Sequence, residues 1–351
     1  MKRTFTSLTS TLALAAALAA LAPCVSARQA RGRAQSPRPT PQAPRTAAPQ
    51  AAPLPLPASD GVVLVELRRL LSEVVPGALA GNKERLAQIN ADIEQFKART
   101  GLDARDFDTL AVGARAVQLP SGATKIDNAV AVARGRFRPE AVTAAARAAA
   151  RGAASEQQHA GKAVLVLAVN DTLKVFGVVK MRVSELALAV LDANTLAVGD
   201  PAGVRAAIDA QAGRGTVDPA LVAQARGAGG DLVAFAGNVP PFAVAGIDIG
   251  MPEINRSIAS IKGFYGGLGT TRAGYHLTTV LRTGSAAEAS QLLKTIDALR
   301  SIAPALLSAA GDKARFAKAP LDNLKTAAQG SEVRLRTELS QPDVAAIVRT
   351  L

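Results

Sequence analysis

The stretch Leu186-Ala187-Leu188-Ala189-Val190-Leu191-Asp192-Ala193-Asn194-Thr195-Leu196-Ala197-Val198-Gly199-Asp200-Pro201 decides the fold. Two apolar runs, 186–191 and 195–198, flank three turn-forming residues, which is the pattern of a hairpin. Asp200 then stands where a helix needs an acceptor for its first free amides. Pro201 follows at the first helical position, where a missing N–H costs nothing. Val204 and Ile208 lie one turn apart on the helix that this cap opens.

The same joint recurs on both sides. Leu110 to Val117 and Ala129 to Phe137 read as strands linked through Gln118-Leu119-Pro120-Ser121-Gly122, and Pro139 opens an Ala-rich helix with Glu140 in its first turn. Ile261 to Leu268 and Tyr275 to Arg282 flank Thr270–Gly274, and Ser285 opens a helix carrying Leu292, Leu293, Ile296 and Leu299. Val333 to Leu339 alternates with period two, and Gln341-Pro342-Asp343 opens the last helix. A short buried strand is expected at Val62–Leu67. A helix over Lys83–Thr100, with Leu86, Ile89, Ile93 and Phe96 on one face and Gly101 as its stop, follows it.

Hairpins outnumber strand–helix–strand crossovers, so the sheets should be mainly antiparallel. Gly230-Asp231-Leu232-Val233-Ala234-Phe235 echoes Asp60-Gly61-Val62-Val63-Leu64-Val65, as a duplicated unit would. The expected fold is α+β: two similar lobes over 60–228 and 229–351, built from hairpin–helix units, with helices packed on one face. The Gly-rich 227–230 is the expected seam.

Residues 1–59 are organised differently. Met1-Lys2-Arg3 followed by the Leu/Ala run 12–22 fits a signal peptide over 1–27, with cleavage after Ala27. Leu21-Ala22-Pro23-Cys24 offers a rival route, lipidation of Cys24. Residues 28–59 are Pro-, Ala- and Arg-rich and should form an extended, disordered linker. The protein is therefore expected to be exported, periplasmic or extracellular, or alternatively a lipoprotein anchored through Cys24. No later run is long enough for a membrane-spanning helix.

Charge divides along the same boundary. The chain of 351 residues carries +13, and 1–59 holds seven basic and no acidic residues. Beyond them, 34 basic and 28 acidic residues leave +6, interleaved as in Glu332-Val333-Arg334-Leu335-Arg336-Thr337-Glu338. That interleaving marks a solvated face. Arg28, Arg31, Arg33, Arg38 and Arg45 have no acid near them in the chain, so they are the candidate anion contacts, to a membrane surface or an acidic polymer. With 9 Phe, 2 Tyr and no Trp, stacking on nucleic-acid bases is disfavoured, and no specific nucleic acid is expected.

Catalytic signatures are missing from the chain. It has no Gly-x-Ser-x-Gly, His-Glu-x-x-His, phosphate loop or Ser-x-x-Lys. One Cys and two His are too few for a Cys/His zinc or iron–sulfur site, and no metal or cofactor is expected. His159 sits in a polar stretch and His276 in a strand, and neither has a recognisable partner. The glycines of Lys262–Gly269 read as strand glycines rather than a phosphate cradle. The acids of Leu102–Asp108 lack the glycine and terminal glutamate of an EF-hand, so they read as a capped turn.

The signal, linker, Val-Leu-Val-Glu-Leu strand, Thr100-Gly101-Leu102-Asp103 and Phe107–Gly113 together resemble uncharacterised exported bacterial proteins, mainly over 1–150. That resemblance implies an extracytoplasmic compartment and carries no catalytic residues. The functional expectation is a non-enzymatic interaction or scaffold protein, with an unidentified protein or envelope polymer as partner. Two alternatives stand beside it. One is an envelope hydrolase with dispersed catalytic residues, and the other is a weak binder of anionic surfaces through the linker.

Overall fold

A computed structural model of the chain describes residues 54–100, 103–122, 124–149, 154–175, 179–227, 230, 232–245, 251–310 and 318–344. The leader, Cys24, Ala27 and the five linker arginines lie outside these residues.

Twelve strands form one antiparallel sheet. They are β1 (Gly61–Val65), β2 (Phe107–Gln118), β3 (Thr124–Gly135), β4 (Ala154–His159), β5 (Lys162–Val175), β6 (Val179–Asp192), β7 (Thr195–Gly199), β8 (Val233–Asn238), β9 (Ile261–Thr270), β10 (Gly274–Thr283), β11 (Lys325–Gln329) and β12 (Glu332–Ser340). Across the sheet the order is β11-β12-β10-β9-β8-β1-β2-β3-β7-β6-β5-β4. The α+β class and the antiparallel hairpins are thus as the sequence reads.

Strands from the two stretches of chain meet at β1 and β8, with Val63 opposite Phe235. Outward from this pair, one half runs β1, β2, β3, β7, β6 and the other β8, β9, β10, β12, β11. In both halves a strand leads through helix to a hairpin, then through helix to a second hairpin. The β4–β5 hairpin is extra to the first half.

Local chemistry makes each joint. Asn194 N–H is taken by the Asp192 carboxylate at 2.9 Å, closing the β6–β7 turn. Asp200 Oδ1 accepts from Gly203 N–H at 2.5 Å and so caps the helix Pro201–Gln211, while its Oδ2 accepts from Ala129 N–H at 2.6 Å on β3. Such a cap is worth about 1 kcal/mol, and here it also ties the helix to the sheet. Asn82 caps the helix Lys83–Thr100 through Arg85 N–H, which turns Ile89 and Ile93 into the core.

Strand alternation gives the sheet two faces. Val63 and Val65 point to the first face, under the helical stretch 67–78 and the helices Lys83–Thr100 and Pro139–Ala149. On the same face farther along, Leu335 and Val333 pack beneath Ala289, Leu292 and Ile296 of the helix Ala286–Ala310. The second face carries a core of its own. Val62, Val130, Val132, Val164, Ala187 and Ala197 pack against Val204, Ala207 and Ile208 of Pro201–Gln211 and Leu221 of Pro219–Gly227. So helices cover the first face along the sheet, as expected, and in the first half they cover the second face too. The cause is visible in the strands, which are apolar on both sides there.

Residues 54–59, within the stretch read as linker, are packed on the sheet. Leu56 is fully buried in the second-face core. Val217 N–H donates to the Leu56 carbonyl at 3.0 Å and Ala58 N–H to that of Gly215 at 2.7 Å. The leucines of Leu54-Pro55-Leu56-Pro57 supply an apolar anchor that the Arg/Pro/Ala stretch before them lacks.

Candidate functional site

The second face does not stay apolar. Its hydrophobic cluster ends at Tyr265 on β9. Beyond it, β10, β12 and β11 turn another set of residues to that side. His276 lies opposite Glu338, Thr278 opposite Arg336, Val280 opposite Arg334 and Arg282 opposite Glu332. On the edge strand, Lys325 lies opposite Arg336, Ala327 opposite Arg334 and Gln329 opposite Glu332. The intervening residues Val333, Leu335, Thr337 and Leu339 are all buried on the first face. The alternation that fixes the fold therefore sends one row inward and a charged row outward.

The contrast with the first half is specific. There the corresponding strands β7 and β6 present Ala197, Ala187, Ala189 and Leu191 on this side, roofed by a helix. Here Lys325, Ala327, Gln329, Arg334 and Glu338 of β11 and β12 are exposed, Arg282, Arg336, Glu332 and Tyr265 are half-buried, and Thr278 and Val280 of β10 are buried.

The charges on this open face are unevenly paired. The Tyr265 hydroxyl donates to Glu332 Oε2 at 3.0 Å. Burial, and then the hydrogen bond to Glu332, hold the Tyr265 phenol above its usual range. Arg282 Nη2 donates to Asn238 Oδ1 at 2.9 Å. Arg336 reaches Glu338 only loosely, at 3.8 Å. Arg334 and Lys325 make no ion pair or hydrogen bond among the described residues. Four cations thus share the face with two carboxylates, one of which is occupied by Tyr265.

Of the residues singled out in the sequence, His276 lies at the β10 side of this face and the others fall elsewhere. His159 ends β4 and bonds Asp209 Oδ2 at 3.1 Å, and Asp209 Oδ1 takes Arg214 at 2.5 Å. The Arg214 guanidinium, and then the His159 ring, hold the Asp209 carboxyl below the ordinary carboxylate range. His276 lies on β10, nine strands away from β4 in the sheet order. At about 4.8 Å per strand they lie roughly 40 Å apart measured across the sheet, and the structure does not bring them together. The expected capped turn is present: Asp103 accepts from Arg105 N–H at 3.0 Å and pairs with Lys97 at 3.1 Å. The glycines of 262–269 lie in β9, as read.

No family model matches the chain, and no curated protein does. Among solved structures the chain is similar to TP0453 in three crystal forms, with 10%, 10% and 12% sequence identity and TM-scores of 0.42, 0.43 and 0.42. The matches span 85%, 86% and 84% of this chain and 97%, 99% and 96% of those chains. Nothing about ligand or activity follows from a likeness so remote.

A concave alternative to the open face exists in the first half. A cleft of about 610 Å³ is lined by Phe107, Phe137, Arg136, Arg138, Asp103 and Asp106. Its volume suits a small ligand, but Asp103 is engaged by its own turn and the two rings pack on each other at 5.7 Å. What the sequence could not supply is the partner of each charge on the open face. Lys325 and Arg336 are eleven residues apart in the chain, and only the β11–β12 register makes them neighbours.

Proposed function

We propose that this chain is a non-enzymatic extracytoplasmic interaction protein that presents the open face of β12 and β11 to an acidic partner. The observation that carries the reading is the change of chemistry along one face of one sheet. Where the first half has alanine, valine and leucine beneath a helix, the second half has Arg282, Arg334, Arg336 and Lys325. A face meant only to be covered would be apolar, and one meant only for solvent needs no surplus of cations. The linker arginines Arg28, Arg31, Arg33, Arg38 and Arg45 would add a second, weaker attraction for the same kind of partner.

The test is retention of the exported chain on an immobilised acidic matrix across a salt gradient. Reversing Arg334 and Arg336 to Glu should advance elution strongly and weaken binding at physiological salt by at least tenfold, with the melting temperature within a few degrees of the parent. Reversal of Arg147, exposed on the other side, together with half-buried Arg68, the two paired with Glu156 and Asp108, should shift elution much less. Equal shifts for both pairs would mean that net charge alone is being read, and the open face would lose its claim.

A further inference from the structure

The character of the partner follows from what the open face lacks, and this step rests on the reading just given. We infer that the ligand is a flexible linear polyanion, held by charge along β12 and β11, rather than the surface of an acidic protein.

Stable protein interfaces bury on the order of 1,600 Å² and are anchored by aromatic or large apolar side chains. The large apolar residues exposed on the described molecule are Leu119, Ile126, Met251 and Ile302. None of them lies on β10, β11 or β12. Val280, on this side, is 1% exposed, and Tyr265 spends its hydroxyl on Glu332. The exposed residues are instead Lys325, Ala327, Gln329, Arg334 and Glu338, with Arg336 half-buried among them. Such a strip offers a protein partner almost no apolar contact. A polyanion needs none, because neutralising its charges releases condensed counterions. With no free aromatic ring on the strip, bases would find nothing to stack on, so the groups recognised are the phosphates or carboxylates themselves.

A second observation points the same way. Lys325 and Arg336 are directly opposed across β11 and β12. Like charges in that position repel, and a sheet is more stable without them. A lysine on an edge strand is a common guard against strand pairing, which accounts for Lys325 alone. It does not account for Arg336 on the inner strand, nor for Arg334 two residues along it on the same side. Successive same-side residues stand about 6.7 Å apart along a strand, and the opposed pair about 5 Å apart across it. Three cations are thus gathered within reach of two or three successive anionic groups. Glu338 and Glu332, at the two ends of this stretch of β12, limit the contact to that length.

The experiment titrates the full mature chain, and a version with Arg28, Arg31, Arg33, Arg38 and Arg45 changed to Gln, with long-chain inorganic polyphosphate and separately with poly-glutamate. Binding is read against salt. With about three charges engaged on the strip, log K should fall with log salt at a slope of about −2 in the chain without the five arginines, by the rule of ~0.7 per neutralised charge, and more steeply in the chain that keeps them. Arg334→Gln with Arg336→Gln should weaken binding more than tenfold and flatten the slope by about 1.4 on the same rule. Lys325→Glu should weaken binding at least fivefold while holding or raising the melting temperature, because it turns a repelling pair into an attracting one. Preference for polyphosphate over poly-glutamate identifies the anion as phosphate, and the reverse as carboxylate. Failure to bind either polymer, with retention on the acidic matrix still lost in the Arg334 and Arg336 reversal, would overturn the polyanion and leave the acidic-partner reading standing. If that retention were also indifferent to the reversal, both would fall. A Lys325→Glu chain that melts lower and binds unchanged would remove the like-charged pair from the argument.

Discussion

Phe235→Ala is expected to lower the stability of the folded chain by about 3–5 kcal/mol, the usual cost of removing a buried phenyl ring. Phe235 is 5% exposed and sits on β8, opposite Val63 on one side and Gly266 on the other. Its ring lies 6.2 Å from that of Phe264, which in turn covers Gly237. The two rings fill the space that two glycines leave, so each ring is held by the strand it crosses. Because this cluster lies at the junction of the two halves of the sheet, its loss should uncouple them as well as weaken the core. Urea unfolding followed by circular dichroism would show a lower midpoint and a broader or biphasic transition. A single transition at the parental midpoint would show that the halves hold together by other contacts.

Gly266→Val should do more harm than any surface change, with a loss of more than about 4 kcal/mol or failure to fold, as expected when overpacking meets fixed backbone. A Cβ at this position would stand 2.2 Å from the Thr278 carbonyl oxygen on β10 and 2.6 Å from the Phe235 ring. The ring can shift only by leaving Gly266 uncovered, and the carbonyl belongs to the ladder. Gly81→Ala is the matched control. Nothing lies within 4 Å of a Cβ there, and its effect should stay within about 0.5 kcal/mol. Soluble yield and thermal melting of the two variants side by side make the comparison. Equal behaviour would mean that β9 and β10 can separate without cost.

Both residues lie where the sequence was partly readable. The glycines of 262–269 stand out as strand glycines, yet nothing local says that two phenyl rings occupy the room beside Gly237 and Gly266. The hairpin–helix joints were more legible, because each is written in adjacent residues: Asp192 and Asn194 for the turn, Asp200 and Pro201 for the cap. β4 was not legible. Glu156-Gln157-Gln158-His159 has no apolar alternation, and it is a strand only because β5 offers it a ladder. The side that the Pro201–Gln211 helix takes was not legible, for a related reason. Val130, Val132, Ala187 and Ala189 sit in runs that are apolar on both sides, and such runs do not tell which side a helix will take.

The candidate site was half legible. The alternation of Glu332 to Glu338 marks an outward charged row, and the structure places that row in the open. It could not reveal that Tyr265 occupies Glu332, or that Lys325 arrives opposite Arg336. Those are facts of register between strands distant in the chain. The histidines, which sequence reasoning weighs first, end on strands nine places apart.

The outer strands of the second half, β12 and β11, are the proposed contact surface. Amide hydrogen exchange of the full chain, with and without polyphosphate at moderate salt, reads out that surface. Added protection is expected at residues 325–329 and 332–338, with the helices Pro201–Gln211 and Pro219–Gly227 unchanged. Protection confined to those helices or to the cleft around Phe107 and Phe137, with none over 325–338, would contradict it.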